Sequence, residues 1–184
     1  MSDSEYSPPS GSAFPAVLDA CCGPRMMWFD KADGRALFVD KRRERIHADT
    51  RQGRREIVVD PDRIADFRAL PFPDATFTLV VFDPPHTFAG PNGWTRKKYG
   101  TLTGTDWRED IRAGFRECFR VLCPLGTLVF KWSEHRVPVS TILELTPERP
   151  LFGQRCGTTA KTQWIVFHKP NAKSERPSES EELK

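Results

Sequence analysis

Three short apolar runs, each closed by an aspartate, constrain this chain more than any other feature. Ala16-Val-Leu18 ends at Asp19, Ala36-Leu-Phe-Val39 ends at Asp40, and the run from Phe77 to Phe82 ends at Asp83. Continuous apolar stretches of this kind fit strands buried on both faces, as in a parallel sheet covered by helices. Gly126-Thr-Leu-Val-Phe-Lys-Trp132 is a fourth run, and Gln163-Trp-Ile-Val-Phe-His168 is a fifth, rich in β-formers. Arg55-Glu-Ile-Val-Val59 is a sixth candidate. A single aspartate at a strand end can simply cap the next turn. Three in chain order, on the edge where open parallel sheets bind ligands, point to a site.

The spacing predicts one long helix over 107–122. Trp107, Ile111, Phe115, Cys118, Phe119 and Leu122 fall on one face of a 3.6-residue period. Asp106 is placed to cap it, with Glu109 three residues on, and Pro124 and Gly126 end it. A shorter helix is expected over 138–146, and a brief one after Gly23, through Met26-Met-Trp-Phe29. Residues 41–75 carry no long helical pattern. Strands alternating with helices argue for a three-layer α/β fold.

Length and charge bound the rest. The chain has 184 residues, enough for one domain. Residues 1–14 and 171–184 are rich in Ser, Pro and Glu and read as disordered arms around a domain over 15–170. The formal net charge of +3 therefore becomes +6 for that domain. No apolar run approaches the roughly 20 residues of a membrane span. The polar start MSDSEYSPPSGS has no signal pattern, so a cytoplasmic location without a membrane partner is expected. The five cysteines form no C-x-x-C pair and no histidines have ligand spacing, so packing roles are expected and no metal.

The order of motifs resembles class I S-adenosylmethionine-dependent methyltransferases. The resemblance runs through Val17-Leu-Asp-Ala-Cys-Cys-Gly23, Val39-Asp40, Asp66-Phe-Arg-Ala-Leu-Pro-Phe-Pro-Asp74, Asp83-Pro-Pro-His86 and Phe119-Arg-Val-Leu-Cys-Pro-Leu-Gly126, and covers about 15–169. The chain is also similar to small phage-type methyltransferases that carry DPPH. The resemblance implies a Rossmann-like fold, mostly parallel, with helices on both faces and an antiparallel last strand over Gln163–His168. It implies S-adenosylmethionine as cofactor, with Asp19, Cys21 and Gly23 at the methionine moiety. Asp40 is then the acceptor for the ribose hydroxyls, and Asp66, Phe67 and Leu70 form the adenine segment. Of the glycines usual in the first turn only Gly23 is present, with Cys21 and Arg25 where others are common.

Asp83, Pro84, Pro85 and His86 resemble the D/N-P-P-aromatic signature of enzymes that methylate exocyclic amino groups. The chemistry explains the residue types. An aromatic amine is a poor nucleophile because its lone pair is delocalised into the ring. Acceptors at Asp83 and at the Pro84 carbonyl take its two N–H bonds and aim the lone pair, while the prolines stiffen the turn. The fourth residue normally stacks on a base taken out of its helix. Here it is His86, and Phe88 is placed to add an aromatic face. A rigid turn closing a strand is the alternative.

Two basic stretches follow. Residues 41–55 hold seven Lys/Arg against Glu44 and Asp49, which also suits a solvated charged loop. Residues 87–105 hold Trp94, Arg96, Lys97, Lys98 and Tyr99, a pattern that suits phosphates and stacked bases in a lid. A run this long without periodicity is otherwise an insert. Lys131 and Glu134 either reach the substrate or pair with each other or with solvent. The expected reaction is methyl transfer to a nucleobase amino group, with DNA adenine ahead of RNA. A small-molecule or protein methyltransferase and a non-catalytic binding protein are the alternatives.

Overall fold

The computed structural model describes residues 13–50, 53–86, 106–155 and 161–171. The strands are β1 (Val17–Asp19), β2 (Ala36–Asp40), β3 (Glu44–Thr50), β4 (Gly53–Val59), β5 (Arg63–Ile64), β6 (Phe77–Phe82), β7 (Leu122–Ser133), β8 (Phe152–Arg155) and β9 (Thr162–His168). The helices are α1 (Trp107–Val121) and the single-turn α2 (Val139–Leu143). Seven strands form one sheet in the order β5-β2-β1-β6-β7-β9-β8. The β1, β2, β5, β6 and β7 pairings are parallel, and β9 runs antiparallel between β7 and β8. From β1 the chain builds outward first through β2 and β5, then through β6 and β7. Its switch point therefore lies between β1 and β6, where such sheets open a crevice at their carboxyl edge.

The pleat divides the chemistry from the core. On one face Leu18, Val39, Val80, Phe82, Leu128, Phe130 and Phe167 join the buried face of α1, which supplies Ile111, Phe115, Cys118 and Phe119. Each fully buried side chain of this size contributes about 1.5–3 kcal/mol. The helix sits close because residue 114 is glycine: a Cβ there would lie 2.5 Å from Phe82 and 2.8 Å from Phe67. Asp106 caps α1 through the Glu109 N–H, as expected. Lys169 closes its other end, donating to the Phe119 and Leu122 carbonyls at 2.6 Å each.

Five features differ from expectation. The segment after Gly23 forms turns, not a helix, because Gly23 (φ 49) and Arg25 (φ 51) adopt left-handed backbone. Arg25 tolerates that conformation by donating to Asp62 at 2.7 Å, the Asp60 carbonyl at 2.7 Å and the Lys31 carbonyl at 2.5 Å. The basic stretch 41–55 lies mostly in a two-stranded hairpin, β3–β4, whose Ile57 and Val59 are buried. Much of its charge is internally paired, Arg43 with Asp60 and Arg45 with Glu56. The second helix is shorter than 138–146, and Phe152–Arg155 adds an edge strand that no apolar run announces. Phe14, at the end of the expected arm, packs edge-on to Phe72 at 5.3 Å.

Candidate active site

Strand register brings the three aspartates together. Asp19 pairs with Phe38 on one side and Val81 on the other. Asp40 and Asp83 each lie two residues beyond those partners, so all three share one side of the pleat, opposite α1. Phe82 pairs with Phe130, which makes Lys131 the next cross-strand neighbour of Asp83 on that same side.

Each carboxylate has its own environment. Asp19 is fully buried and accepts from Trp28 Nε1 at 2.7 Å and from the Cys21 N–H at 3.3 Å. Burial raises its pKa to about 7 against those two bonds, and the neighbouring Asp83 and Asp40 add to the rise. Asp40 accepts from the Gly23 N–H at 3.0 Å and from the Arg42 N–H at 2.9 Å, and its ion pair with Arg42 Nε is 3.2 Å. Asp83 Oδ2 accepts from Lys131 Nζ at 2.5 Å. Asp83 Oδ1 is buried and has no hydrogen-bond partner among the described residues. Such an atom loses its hydration without replacement unless something supplies a donor.

The remaining residues fall into three groups. Cys21, Asp40, Phe67 and Pro85 line one small hollow together with Ala20, Lys41, Arg42 and Ala65. Cys21, Gly23 and Asp83 line an adjoining hollow with Cys22, Pro24, Met26 and Met27. Burial, with Asp19 and Asp83 nearby, keeps the Cys21 thiol protonated, so it acts as an apolar wall. His86 Nδ1 lies 3.9 Å from Asp83 Oδ1, and its ring meets Trp132 edge-on at 6.0 Å. Burial lowers its pKa and the nearby Lys131 adds to this, against Asp83, so the imidazole is neutral at neutral pH.

Two expected cofactor residues are held differently. Leu70 is in the core, its N–H donated to Glu117 at 2.8 Å and its carbonyl accepting from Arg120 at 2.9 Å, so its backbone does not face the hollow. Asp66 is clamped by Arg68, with Nε at 2.9 Å and Nη2 at 2.7 Å, and Arg68 continues to Asp110 of α1. Burial raises the Asp66 pKa, and Arg68 more than offsets this, holding it below the usual carboxylate range. Phe88, Trp94, Arg96, Lys97, Lys98 and Tyr99 lie outside the described residues, as does the whole expected lid.

Sequence reasoning missed one member of the site and left a second undecided. Trp28 stood in an expected helix, yet it anchors Asp19 and packs on Phe38 at 4.8 Å. Lys131 was as readily assigned to Glu134 or solvent, but Glu134 instead accepts from the Val139 N–H at 3.0 Å. The β6–β7 register carries the signal for Lys131.

Comparison with solved structures agrees with the fold. The chain is similar to the PH0226 protein of Pyrococcus horikoshii OT3, at 16% identity, covering 83% of this chain and 81% of that one, with a TM-score of 0.54. It is similar to a SAM-dependent methyltransferase of Methanosarcina mazei, at 12% identity over 84% of this chain and 92% of that one, TM-score 0.51. The chain has the class I methyltransferase fold. No family model and no curated protein matches the chain. The cyclase SpnF is also similar, at 12% identity over 87% of this chain and 76% of that one, TM-score 0.50. A methyltransferase fold therefore leaves the reaction to be argued from the site. No helix among the described residues is long and apolar enough to cross a membrane, and no group of three His, Cys, Asp or Glu among them is placed to hold a metal ion.

Proposed function

We propose that this chain is an S-adenosylmethionine-dependent methyltransferase acting on an exocyclic amino group of a nucleobase, with adenine in DNA the leading acceptor and RNA the second. One observation carries the reading: Asp83 Oδ1 is a buried acceptor with no donor among the described residues, at the end of the strand beside the switch point. An amino N–H is the donor that suits it.

The residues fit the cofactor. When bound, S-adenosylmethionine supplies a methyl group on a positively charged sulfur, which leaves as neutral S-adenosylhomocysteine while the acceptor nitrogen's lone pair takes the methyl carbon and the surplus proton passes to water. A cluster of buried carboxylates favours such a cation, and Asp19 is the one whose own burial leaves most to gain. Asp40 takes the ribose hydroxyls in exchange for its longer bonds to the Arg42 side chain, Nε at 3.2 Å and Nη2 at 3.5 Å, and keeps those to the Gly23 and Arg42 N–H groups. Phe67 offers an apolar wall to the adenine ring. At the other end, Asp83 Oδ1 and the Pro84 carbonyl take the two amine hydrogens and direct the lone pair, so that positioning does most of the work. Neutral His86 adds a ring face without a competing charge. Phe88, Trp94, Arg96, Lys97, Lys98 and Tyr99 contact the nucleic acid in this reading.

Calorimetry with S-adenosylmethionine tests the cofactor half. Binding weakened by Asp40→Ala is the expected result, and no binding by the intact protein sinks the reading.

A further inference from the structure

Lys131 is, among the described residues, the one ammonium hydrogen-bonded to the proposed acceptor carboxylate, and its role is unexplained by amine positioning alone. Its Nζ donates to Asp83 Oδ2 at 2.5 Å, and lies 5.6 Å from the centre of the Trp164 ring. An ammonium has three donors. Among the described residues Asp83 is the only acceptor it meets, so two remain. The pair therefore presents, side by side at the carboxyl edge of β6 and β7, an acceptor at Asp83 Oδ1 and donors at Lys131 Nζ.

That pattern is the complement of one kind of base edge. Adenine and cytosine carry their amino group next to a ring nitrogen with a lone pair, a donor beside an acceptor. Guanine carries its amino group between a ring N–H, a second donor that faces an ammonium unfavourably, and a ring nitrogen on the sugar side of the base, where the ribose obstructs it. We propose that Lys131 is a specificity-determining residue that donates to the ring nitrogen adjacent to the methylated amine, so that the site takes adenine or cytosine and excludes guanine. The inference rests on the nucleobase reading above and adds to it both a residue and a restriction of substrate. With Oδ2 engaged by Lys131, Oδ1 is the carboxylate oxygen left without a donor among the described residues, which orients the incoming base. Lys131 and Trp164 are cross-strand partners, and the contact with that ring favours the position of the ammonium beside Asp83.

The test is a cycle between Lys131 and the ring nitrogen. Oligonucleotides carrying adenine, 1-deazaadenine, cytosine, 3-deazacytosine or guanine as the acceptor are offered to the full chain with labelled S-adenosylmethionine. Deaza bases keep the amine and lose the ring acceptor. Removing the ring nitrogen returns electron density to the amine, so chemistry alone makes these bases faster. With Lys131 donating, kcat/KM instead falls about tenfold to a hundredfold on the deaza base. In Lys131→Met that penalty disappears, and in Lys131→Arg it is retained in part. Equal or faster transfer to the deaza base by the unmodified protein, or methylation of guanine, overturns the inference while the nucleobase reading stands. Transfer to none of the five bases overturns both. The deaza comparison within the unmodified protein does not depend on any variant folding.

Discussion

Replacing Asp19 by Asn isolates one buried carboxylate whose ionisation works against the fold. Asp19 is fully buried, and its pKa rises from 3.8 to about 7. Between those values the folded protein holds a proton that the unfolded chain has released, so this group makes stability fall as pH rises from about 4 to about 7. About three pKa units at about 1.4 kcal/mol each amount to roughly 4 kcal/mol. Asn cannot ionise and keeps one oxygen for the Trp28 indole, but it gives up the acceptor for the Cys21 N–H, at a cost of about 1 kcal/mol. The variant is therefore expected to be about 1 kcal/mol less stable than the parent near pH 4 and about 3 kcal/mol more stable near pH 8. Urea denaturation at three pH values reads the difference directly. A difference that does not change with pH refutes the reasoning. The gain has a functional counterpart in the proposed function, where the same variant loses the charge proposed to face the cofactor cation. Its affinity for S-adenosylmethionine falls, and the proton that the parent releases on binding near pH 6–7, read by calorimetry in buffers of different ionisation heat, is no longer released.

Three further outcomes follow from the packing and the hydrogen bonds. Gly114→Ala drives a Cβ into Phe82 and Phe67 and is expected to cost about 1–3 kcal/mol, seen as a lower thermal midpoint. Trp28→Phe keeps the ring on Phe38 but removes the donor to Asp19, so the Asp19 pKa moves further up and cofactor binding becomes more strongly dependent on pH, as titration calorimetry across pH 6–8 reads. Arg120→Ala removes the donor to the Leu70 and Phe72 carbonyls and is expected to cost about 1–3 kcal/mol in urea denaturation while leaving kcat/KM within a few fold.

The parts of the molecule that were legible in the sequence are those where one physical signal acts alone. Helix α1 combines an apolar face at helical spacing with a capping aspartate, and both appear in the structure. The aspartates at the ends of β1, β2 and β6 were legible because a parallel strand buried on both faces leaves a continuous apolar run that stops at the sheet edge. Of the β3–β4 hairpin only β4 was legible, as the sixth run over 55–59, and β3 was hidden by its own chemistry. The hairpin's arginines read as a solvated loop, whereas they pair with Asp60 and Glu56, and only a few residues such as Ile57 and Val59 turn inward. At Met26–Phe29 four apolar residues in a row suggested a helix, and the left-handed residues at Gly23 and Arg25 override that preference. Leu70 illustrates a different limit. Its segment reads as a ligand loop, and the side chain of Glu117, which is 47 residues away in the chain, claims its N–H instead. Strand register decides in favour of Lys131, which the sequence offers together with Glu134, one residue past the strand, with nothing to separate the two.

The central claim is that Asp83 directs methyl transfer to an amino nitrogen of a base. Incubation of the full chain with labelled S-adenosylmethionine and DNA or RNA, followed by digestion and mass spectrometry of the nucleosides, tests it most directly. The account predicts N6-methyladenine, or N4-methylcytosine, in the unmodified protein's product and its loss in Asp83→Ala. Label on a ring carbon, label on no nucleoside, or a yield unchanged by Asp83→Ala contradicts it.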